Sequence, residues 1–359
     1  MAQITSNTNL ISVCIPVYKT EPFLEQCLES VLLEQFNNFE VIVVSDASKG
    51  KDSKGRSAKK IIKVVQKECN RRRKSVGLSK VNVRFIEHEE NRGLVEVRRT
   101  LAYAAQGLYI TQVDSDDKLE KGALAAMYAA TRSAEHGENF YDIVHGTSVA
   151  GTFSDDGSFV PSSENRYGRI FYGSLFDHQI FNSHFIGKAF SSNTWGKLIK
   201  RELYLKAYEN IPYTRCNLGE DLLLIFFISL FAKSYIGIKD KVYRYRVNTG
   251  MTSRTLIDNL ARWEMMCSVS GVFTVISQWI SENQDQINNP ASPIHISAQE
   301  LQELRDLTIR YLGNNILSLN NVVAPQIKSQ AYELLCDYWG QDFVSQVEKM
   351  VFTDKFSKL

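Results

Sequence analysis

The chain has 359 residues, 44% hydrophobic and 23% charged, with a formal net charge of +2. That composition is ordinary for a globular fold with room for two domains, and it excludes a disordered or collagen-like chain. Six cysteines lie scattered at 14, 27, 69, 216, 267 and 336, with no CxxC pair and no nearby histidine. This pattern counts against zinc and against a disulfide framework, and for a reducing compartment.

No charged segment followed by an apolar run opens the first twenty residues, so no signal peptide is expected. The longest apolar run, residues 222–232, is too short to span a bilayer and reads as a buried helix. The expected location is cytoplasmic, with contact at the inner face of the membrane left open.

Residues 10–17 read as a strand that stops near Pro16, because proline has no N–H for a ladder. Residues 21–35 carry Leu24, Cys27, Leu28, Val31 and Leu32 at helical spacing. Residues 39–44 are apolar enough for a central parallel strand and run into Ser45-Asp46-Ala47-Ser48. The three make a βαβ unit with a right-handed crossover. Residues 49–80 then hold 13 Lys and Arg against Asp52 and Glu68, a local +11 that leaves −9 for the remainder. Ile61, Ile62, Val64 and Val65 mark a helix with a basic opposite face, and Arg71-Arg72-Arg73-Lys74 follows. Two readings stand: a solvated helix face, or a patch drawn to anionic lipid headgroups or a phosphate-bearing acceptor. No nucleic-acid partner is expected, since no aromatics interleave with the charges.

Residues 82–87 are a third strand. Asn91-Arg92-Gly93 precedes a helix through residue 106 with Arg98 and Arg99 in it, and such a glycine lets backbone N–H groups approach an anion. Residues 108–113 are a fourth strand, ending in Asp114-Ser115-Asp116-Asp117. Three carboxylates in four positions raise each other's pKa unless a cation or donors stand by. The simplest compensation is Mg²⁺ or Mn²⁺, which takes one or two carboxylates and fills its shell with water and substrate phosphates. The turn thus suggests a metal–diphosphate site at the carboxyl end of a strand. The alternative is a solvated turn that caps the next helix.

Residues 119–136 read as a helix and 141–144 as a fifth strand. The expected fold class is therefore α/β, a doubly wound, mostly parallel sheet flanked by helices. Asp155-Asp156-Gly157 marks a hairpin-type turn. His178 and His184 sit among phenylalanines and are given no role. Trp195-Gly196-Lys197 leads into a helix from Arg201. Gly219-Glu220-Asp221 opens the apolar helix 222–232. Residues 234–238 and 242–247 read as closing strands before a polar loop, 248–255. Helical spacing persists from Leu256, with a linker at 283–293, a capping box at Ser297-Ala298-Gln299-Glu300 and a break at 320–325. Residues 1–255 are expected to form the α/β unit. Residues 256–359 are expected to form a helical region for packing, dimerisation or membrane contact.

Five separated motifs now stand in order: the strand into Pro16-Val17-Tyr18 with Glu21; Asp46; Asn91-x-Gly93 before an Arg-bearing helix; Asp114-Ser115-Asp116-Asp117; and Gly219-Glu220-Asp221 preceded by Trp195-Gly196-Lys197. Together they resemble glycosyltransferase family 2, with the GT-A fold, over about residues 10–255. The resemblance implies a nucleotide-diphosphate sugar (UDP-sugar favoured), Mn²⁺ or Mg²⁺, and inversion at the anomeric carbon. On that pattern Pro16, Tyr18 and Glu21 line the nucleoside pocket, and Asp46 hydrogen-bonds the base. Arg98 sits beside the nucleotide. Asp114 contacts ribose or metal, and Asp116 ligates the metal. Asp221 is the general base, and Trp195 shapes the acceptor pocket. Arg246 and Arg254 contact phosphate. One departure is the loop after Asp46, where the family's short Gly-Ser-Thr-Asp turn is replaced by Ala47-Ser48-Lys49-Gly50 and a basic insertion.

The implied activity moves a sugar from a UDP- or GDP-sugar to a hydroxyl of a glycan or lipid-linked acceptor, in bacterial surface polysaccharide assembly. For Asp221 the plainer alternative is a helix-start carboxylate, and for Trp195 a core aromatic. Two rival functions stay open. A nucleotidyltransferase would want a glycine-rich first loop with lysine, whereas Val17-Tyr18-Lys19-Thr20 has no glycine. A non-catalytic sugar-nucleotide or glycan-binding module would not need both Asp116 and Asp221.

Overall fold

The computed structural model describes residues 10–133, 137–154, 158–162, 167–247, 256–351 and 353. Strand β1 (Ile11–Val17) is buried along its whole length, as a strand with neighbours at both edges and layers on both faces must be. It pairs in parallel with β2 (Phe39–Ser45) and with β4 (Tyr109–Gln112). β3 (Val83–Glu87) continues the parallel set beyond β2. The β4 ladder ends at Cys14, whose carbonyl accepts from Val113 N–H. Pro16, two residues on, faces the same side past the ladder's end, where its missing N–H removes no bond.

The other half of the sheet is mixed. β9 (Lys197–Lys200) lies antiparallel between β4 and β6 (Ile143–Phe153). β10 (Ser234–Arg246) runs parallel to β6. β5 (Lys118–Leu119) and β8 (Gly173–Phe176) pair antiparallel with β10, and β7 (Phe159–Pro161) with β6. The main order is β3-β2-β1-β4-β9-β6-β10-β5. The turn at Asp155-Asp156-Gly157 and the loop 248–255, with Arg254, lie outside the described residues.

Alternation along β1 builds two cores. Ile11, Val13 and Ile15 face a cluster with Leu24 and Leu28 of α1 (Glu21–Leu32), Ile61 and Val65 of α2 (Ala58–Ser75), and Leu124 of α4 (Ala123–Ala129). Cys14, Ile42 and Ile110 face the opposite cluster. That side is covered by α3 (Leu94–Ala104), α5 (His178–Phe185), α6 (Arg201–Asn210) and α7 (Glu220–Phe231). Leu222 to Leu230 are all buried, which is why this helix reads as apolar all round rather than amphipathic.

The C-terminal helices are α8 (Leu260–Cys267), α9 (Ser270–Glu282), α10 (Gln284–Ile287), α11 (Ala298–Asn321), α12 (Lys328–Trp339) and α13 (Gln341–Val351). Their inward residues, Trp263, Val272, Leu312, Leu335 and Val347 among them, belong to the same apolar cluster as α7. Trp279 meets Phe226 and Phe227 edge-on at 5.9 and 5.3 Å and donates its indole N–H to Asn210 at 2.9 Å. The capping box at Ser297 forms, and its Glu300 also takes His178 and Asn182 of α5. The apolar stripes are thus covered within the chain. No helix among the described residues is long and apolar enough to cross a membrane.

Three details differ from the sequence expectations. Residues 234–238 and 242–247 are one strand, because bulges at Gly237–Lys241 and Lys241–Tyr243 carry the pairing through the polar interruption. The helix expected over 119–136 is only α4, because Leu119 is claimed by β5 and Gly122 adopts φ +83 at the N-cap. Residues 173–190, left without elements, form β8 and α5.

Candidate active site

Parallel strands bring their carboxyl ends to one edge, and β1, β2 and β4 do so here. Tyr18, Asp46 and the acidic turn Asp114–Asp117 follow directly from these three ends. The N-terminal ends of α3 and α7 face the same edge, since α3 carries Arg98 and α7 starts with Glu220 and Asp221.

Arg98 is the hub. Its side chain is 1% exposed and ion-pairs with Asp114 at 3.1 Å, Glu220 at 3.5 Å and Asp221 at 3.6 Å. It also donates to Thr194 Oγ1 at 2.8 Å. Thr194 in turn donates to Asp221 Oδ1 at 2.8 Å. Burial opposes the charge on Arg98, but the three carboxylates outweigh it and hold its pKa above the ordinary value. The reverse holds for the acids. Burial pushes Glu220 up to about 8, with Asp221 adding to the rise. Burial, then Asp221 and Asp116, push Asp114 up to about 6 against the pull of Arg98. One buried cation does not neutralise three carboxylates, so the floor of the site is short of positive charge.

The acidic turn splits by role. Asp117 is buried and accepts from Tyr243 Oη at 2.9 Å and Arg246 N–H at 2.6 Å. Burial raises its pKa. Tyr243 also bridges to the Asp114 backbone N–H at 3.0 Å, and Thr20 meets Ser115 at 2.6 Å. Asp114 and Asp116 keep partly exposed side chains. Among the described residues no group of three or more His, Cys, Asp or Glu is placed to cage a metal ion. The turn instead offers the pair Asp116 and Asp114. That donor set suits Mg²⁺ or Mn²⁺, which need one or two protein carboxylates and take the rest of their shell from water and phosphate.

The remaining expected residues are brought to the same edge, with their side chains engaged in different ways. Tyr18 is exposed and Pro16 buried beside it. Glu21 is fully buried, and neither carboxylate oxygen has a hydrogen-bond partner. Gly50 closes over it, where a Cβ would fall 1.9 Å from Oε2. Asp46 accepts from Arg92 N–H, Gly93 N–H (both 2.9 Å) and His88 Nδ1 (2.8 Å). The anion at the Asn91–Gly93 turn is therefore Asp46 itself. Arg98 lies beneath the carboxylates rather than at the surface. Arg246 stacks on Phe153 and Phe23 at 4.2 and 4.7 Å and donates to the Asp116 carbonyl and to Gln26. It braces the turn from behind. Trp195 is 6% exposed and stacks on Tyr243 at 4.8 Å and Tyr245 at 5.2 Å. Through Tyr243 it supports the acidic turn.

Sequence reasoning missed Thr194, Tyr243, His88 and the role of Glu220. Thr194 and Glu220 flank residues singled out in the sequence, Trp195 and Asp221, which is a signal of a kind. Tyr243 and His88 carried none. Lys197 is fully buried and donates to the carbonyls of Ser191 (3.1 Å) and Asn193, which fixes the loop that presents Thr194. Burial lowers its pKa to about 7.

"Glycosyltransferase GlyA" of Streptococcus pneumoniae is 27% identical over 249 residues, which make up 68% of this chain and 31% of GlyA. "Glycosyltransferase GlyG" of the same strain is 27% identical over 254 residues, 70% of this chain and 75% of GlyG. The chain thus spans about a third of the first relative's length and three quarters of the second's. Residues 1–349 of TarS from S. aureus, solved in complex with UDP-GlcNAc, superpose at a TM-score of 0.47 with 19% identity, covering 95% of this chain and 92% of that 1–349 chain. The model of the family described as "Glycosyl transferase family 2" matches residues 12–191, from β1 through the acidic turn to the loop before Thr194. With half its length under that match and the strand-end motifs inside it, the chain belongs to glycosyltransferase family 2.

Proposed function

We propose that the protein is a metal-dependent inverting glycosyltransferase, which moves a sugar from a UDP- or GDP-sugar to a hydroxyl of a glycan or lipid-linked acceptor in bacterial surface polysaccharide assembly. The observation that carries the reading is the convergence of Asp114, Glu220 and Asp221 on one buried arginine, beside the open turn at Asp116. Residues 1–255 would form the catalytic unit and 256–359 its helical support.

In this reading the acceptor oxygen attacks the anomeric carbon as the bond to the diphosphate breaks. The acceptor proton goes to Asp221, and the nucleoside diphosphate leaves with the bonding pair. Asp221 suits the base role because its side chain is 23% exposed and one oxygen is already oriented by Thr194. Asp116, with Asp114, would hold a divalent cation, which neutralises charge growing on the leaving diphosphate. Tyr18 would lie against the nucleoside at the mouth.

The test is Mn²⁺-dependent binding of UDP and GDP, with donor hydrolysis measured with and without Mn²⁺. Asp116→Asn should abolish metal-dependent binding while circular dichroism stays unchanged. Unchanged Mn²⁺-dependent affinity in that variant rules out the assignment of Asp116. Release of pyrophosphate from a sugar phosphate and nucleoside triphosphate would instead identify a nucleotidyltransferase. Donor binding with no hydrolysis or transfer would identify a binding module.

A further inference from the structure

Helix α2 buries Ala58, Ile61, Ile62, Val65 and Cys69 against the sheet and α1. At about 100° per residue these occupy one side of the helix. Lys59, Lys60, Lys63, Lys67, Arg71 and Lys74 are all exposed. They fall on the opposite side, within an arc of about 120° on a helix roughly 27 Å long. The one acid in the helix is Glu68, paired with Arg71 at 2.8 Å. Folding does not need this stripe. Lys59 and Lys63, Lys63 and Lys67, and Lys67 and Arg71 are like charges at i,i+4, an arrangement that destabilises a helix in water. The one cation of α2 that folding does use turns inward: Arg73 is 1% exposed and donates to the carbonyls of Leu32, Glu34, Phe36 and Ser79.

We propose that the outward face of α2 docks on an anionic lipid bilayer. Six cations along one convex ridge complement a flat layer of anionic headgroups. Exposed valines select lipid over a soluble polyanion. Val64 flanks the stripe at 47% exposure, and Val76, just past the helix end, is 68% exposed. Apolar side chains gain nothing against a hydrated polyanion, but they do gain at the boundary between headgroups and acyl chains. No aromatic residue lies in α2 to stack on bases. The helix starts at the carboxyl edge of the sheet, the edge that carries the acidic turn. Docking therefore uses a surface that adjoins the candidate active site without entering it, and it stands independently of the transfer reaction.

Sedimentation of the full chain with vesicles tests the proposal. The protein should pellet with phosphatidylcholine vesicles containing phosphatidylglycerol at low salt, and stay in solution at high salt or with phosphatidylcholine alone. The triple variant Lys63→Gln, Lys67→Gln, Lys74→Gln should lose at least tenfold in vesicle affinity, since each basic residue near an anionic leaflet contributes roughly fivefold. Its thermal midpoint and its Mn²⁺-dependent donor hydrolysis in solution should match the unsubstituted protein. The matching Lys→Arg triple variant keeps the charge and should sediment normally. Three results would overturn the proposal: no pelleting with phosphatidylglycerol at low salt, equal pelleting of the Gln triple variant, or binding to heparin or duplex DNA without binding to vesicles. Loss of donor hydrolysis with intact vesicle binding would count against the enzymatic reading alone.

Discussion

The acidic turn and the basic helix are the two charge-dense regions of the molecule, and they are built on opposite plans. In the turn two of the three carboxylates, Asp114 and Asp117, are held from inside. Asp117 is consumed by Tyr243 and Arg246, Asp114 leans on Arg98, and Thr20, Trp195 and Cys27 pack or bond behind them. In α2 only Arg73 is held from inside, and the other cations face water. Charges fixed by several buried partners can be aimed within fractions of an ångström, which chemistry requires. Charges on free side chains cannot be aimed, but they can be summed over a surface. The difference separates a geometry suited to acting on one bond from one suited to responding to a field.

Substitutions can break this contrast. The largest effect is expected at Asp221. Asp221→Asn should lower turnover by roughly 10²–10⁴ while donor affinity stays within a few-fold, as for loss of a general base. Wild-type turnover would return Asp221 to a helix-start carboxylate. Arg98→Met should come next. Removing this buried cation leaves three carboxylates without their shared partner, at a cost of about 3–5 kcal/mol, read as a lower urea midpoint at an unchanged slope.

Glu300 offers a pH test. Burial would raise its pKa, but hydrogen bonds from His178 and Ser297 hold it at about 2, against an ordinary 4.5. A depressed carboxylate stabilises the fold above its unfolded pKa, and the contribution fades as pH falls through the folded value. The native protein should therefore exceed Glu300→Gln by on the order of 3 kcal/mol at neutral pH. The gap should close between pH 4.5 and about 2. A gap that does not change across that window would mean the carboxylate is not what docks α11.

Thr194→Val is expected to be smaller still. It keeps shape but removes the hydroxyl between Arg98 and Asp221, a loss of about 1.5–3 kcal/mol for a bond to a charged group. Turnover should drop roughly 10- to 100-fold with donor KM unchanged, and Thr194→Ser should restore it. The smallest effect belongs to α2. Neutralising Lys63 or Lys67 should move stability by no more than about 0.5 kcal/mol in either direction.

The parts of the fold legible in the sequence were those with a local period. β1, β2, α1 and α7 each repeat at 2.0 or 3.6 residues, or are apolar throughout. The acidic turn was legible because carboxylates so rarely crowd the end of a buried strand. What was not legible was the bracing. Tyr243 reaches Asp117 across 126 residues, and Thr194 reaches Arg98 across 96. Nothing local to a tyrosine or threonine says which distant carboxylate or guanidinium it will meet. β5 escaped for a related reason, since a two-residue strand has no period to detect, and with it went the true start of α4. Asp46 illustrates a subtler limit. Its place at the end of β2 was readable, but the His88 and Gly93 donors that occupy it come from residues 42 and 47 positions away.

Helix α7 has a further consequence. Its first turn presents Glu220 and Asp221 to the site, while its body is sealed between the sheet layer on one side and Trp279 of α9 on the other. One apolar cluster runs without interruption from Cys14 in the sheet, through Phe226, to Val347 in α13. Among the described residues this cluster has no break between α7 and the C-terminal helices. The C-terminal helices should therefore open together with α7, and amide protons in α7 and in α11 should exchange through the same global opening. The place of Glu220 and Asp221 at the candidate site thus depends on a helix that follows later in the chain, through Trp279 of α9.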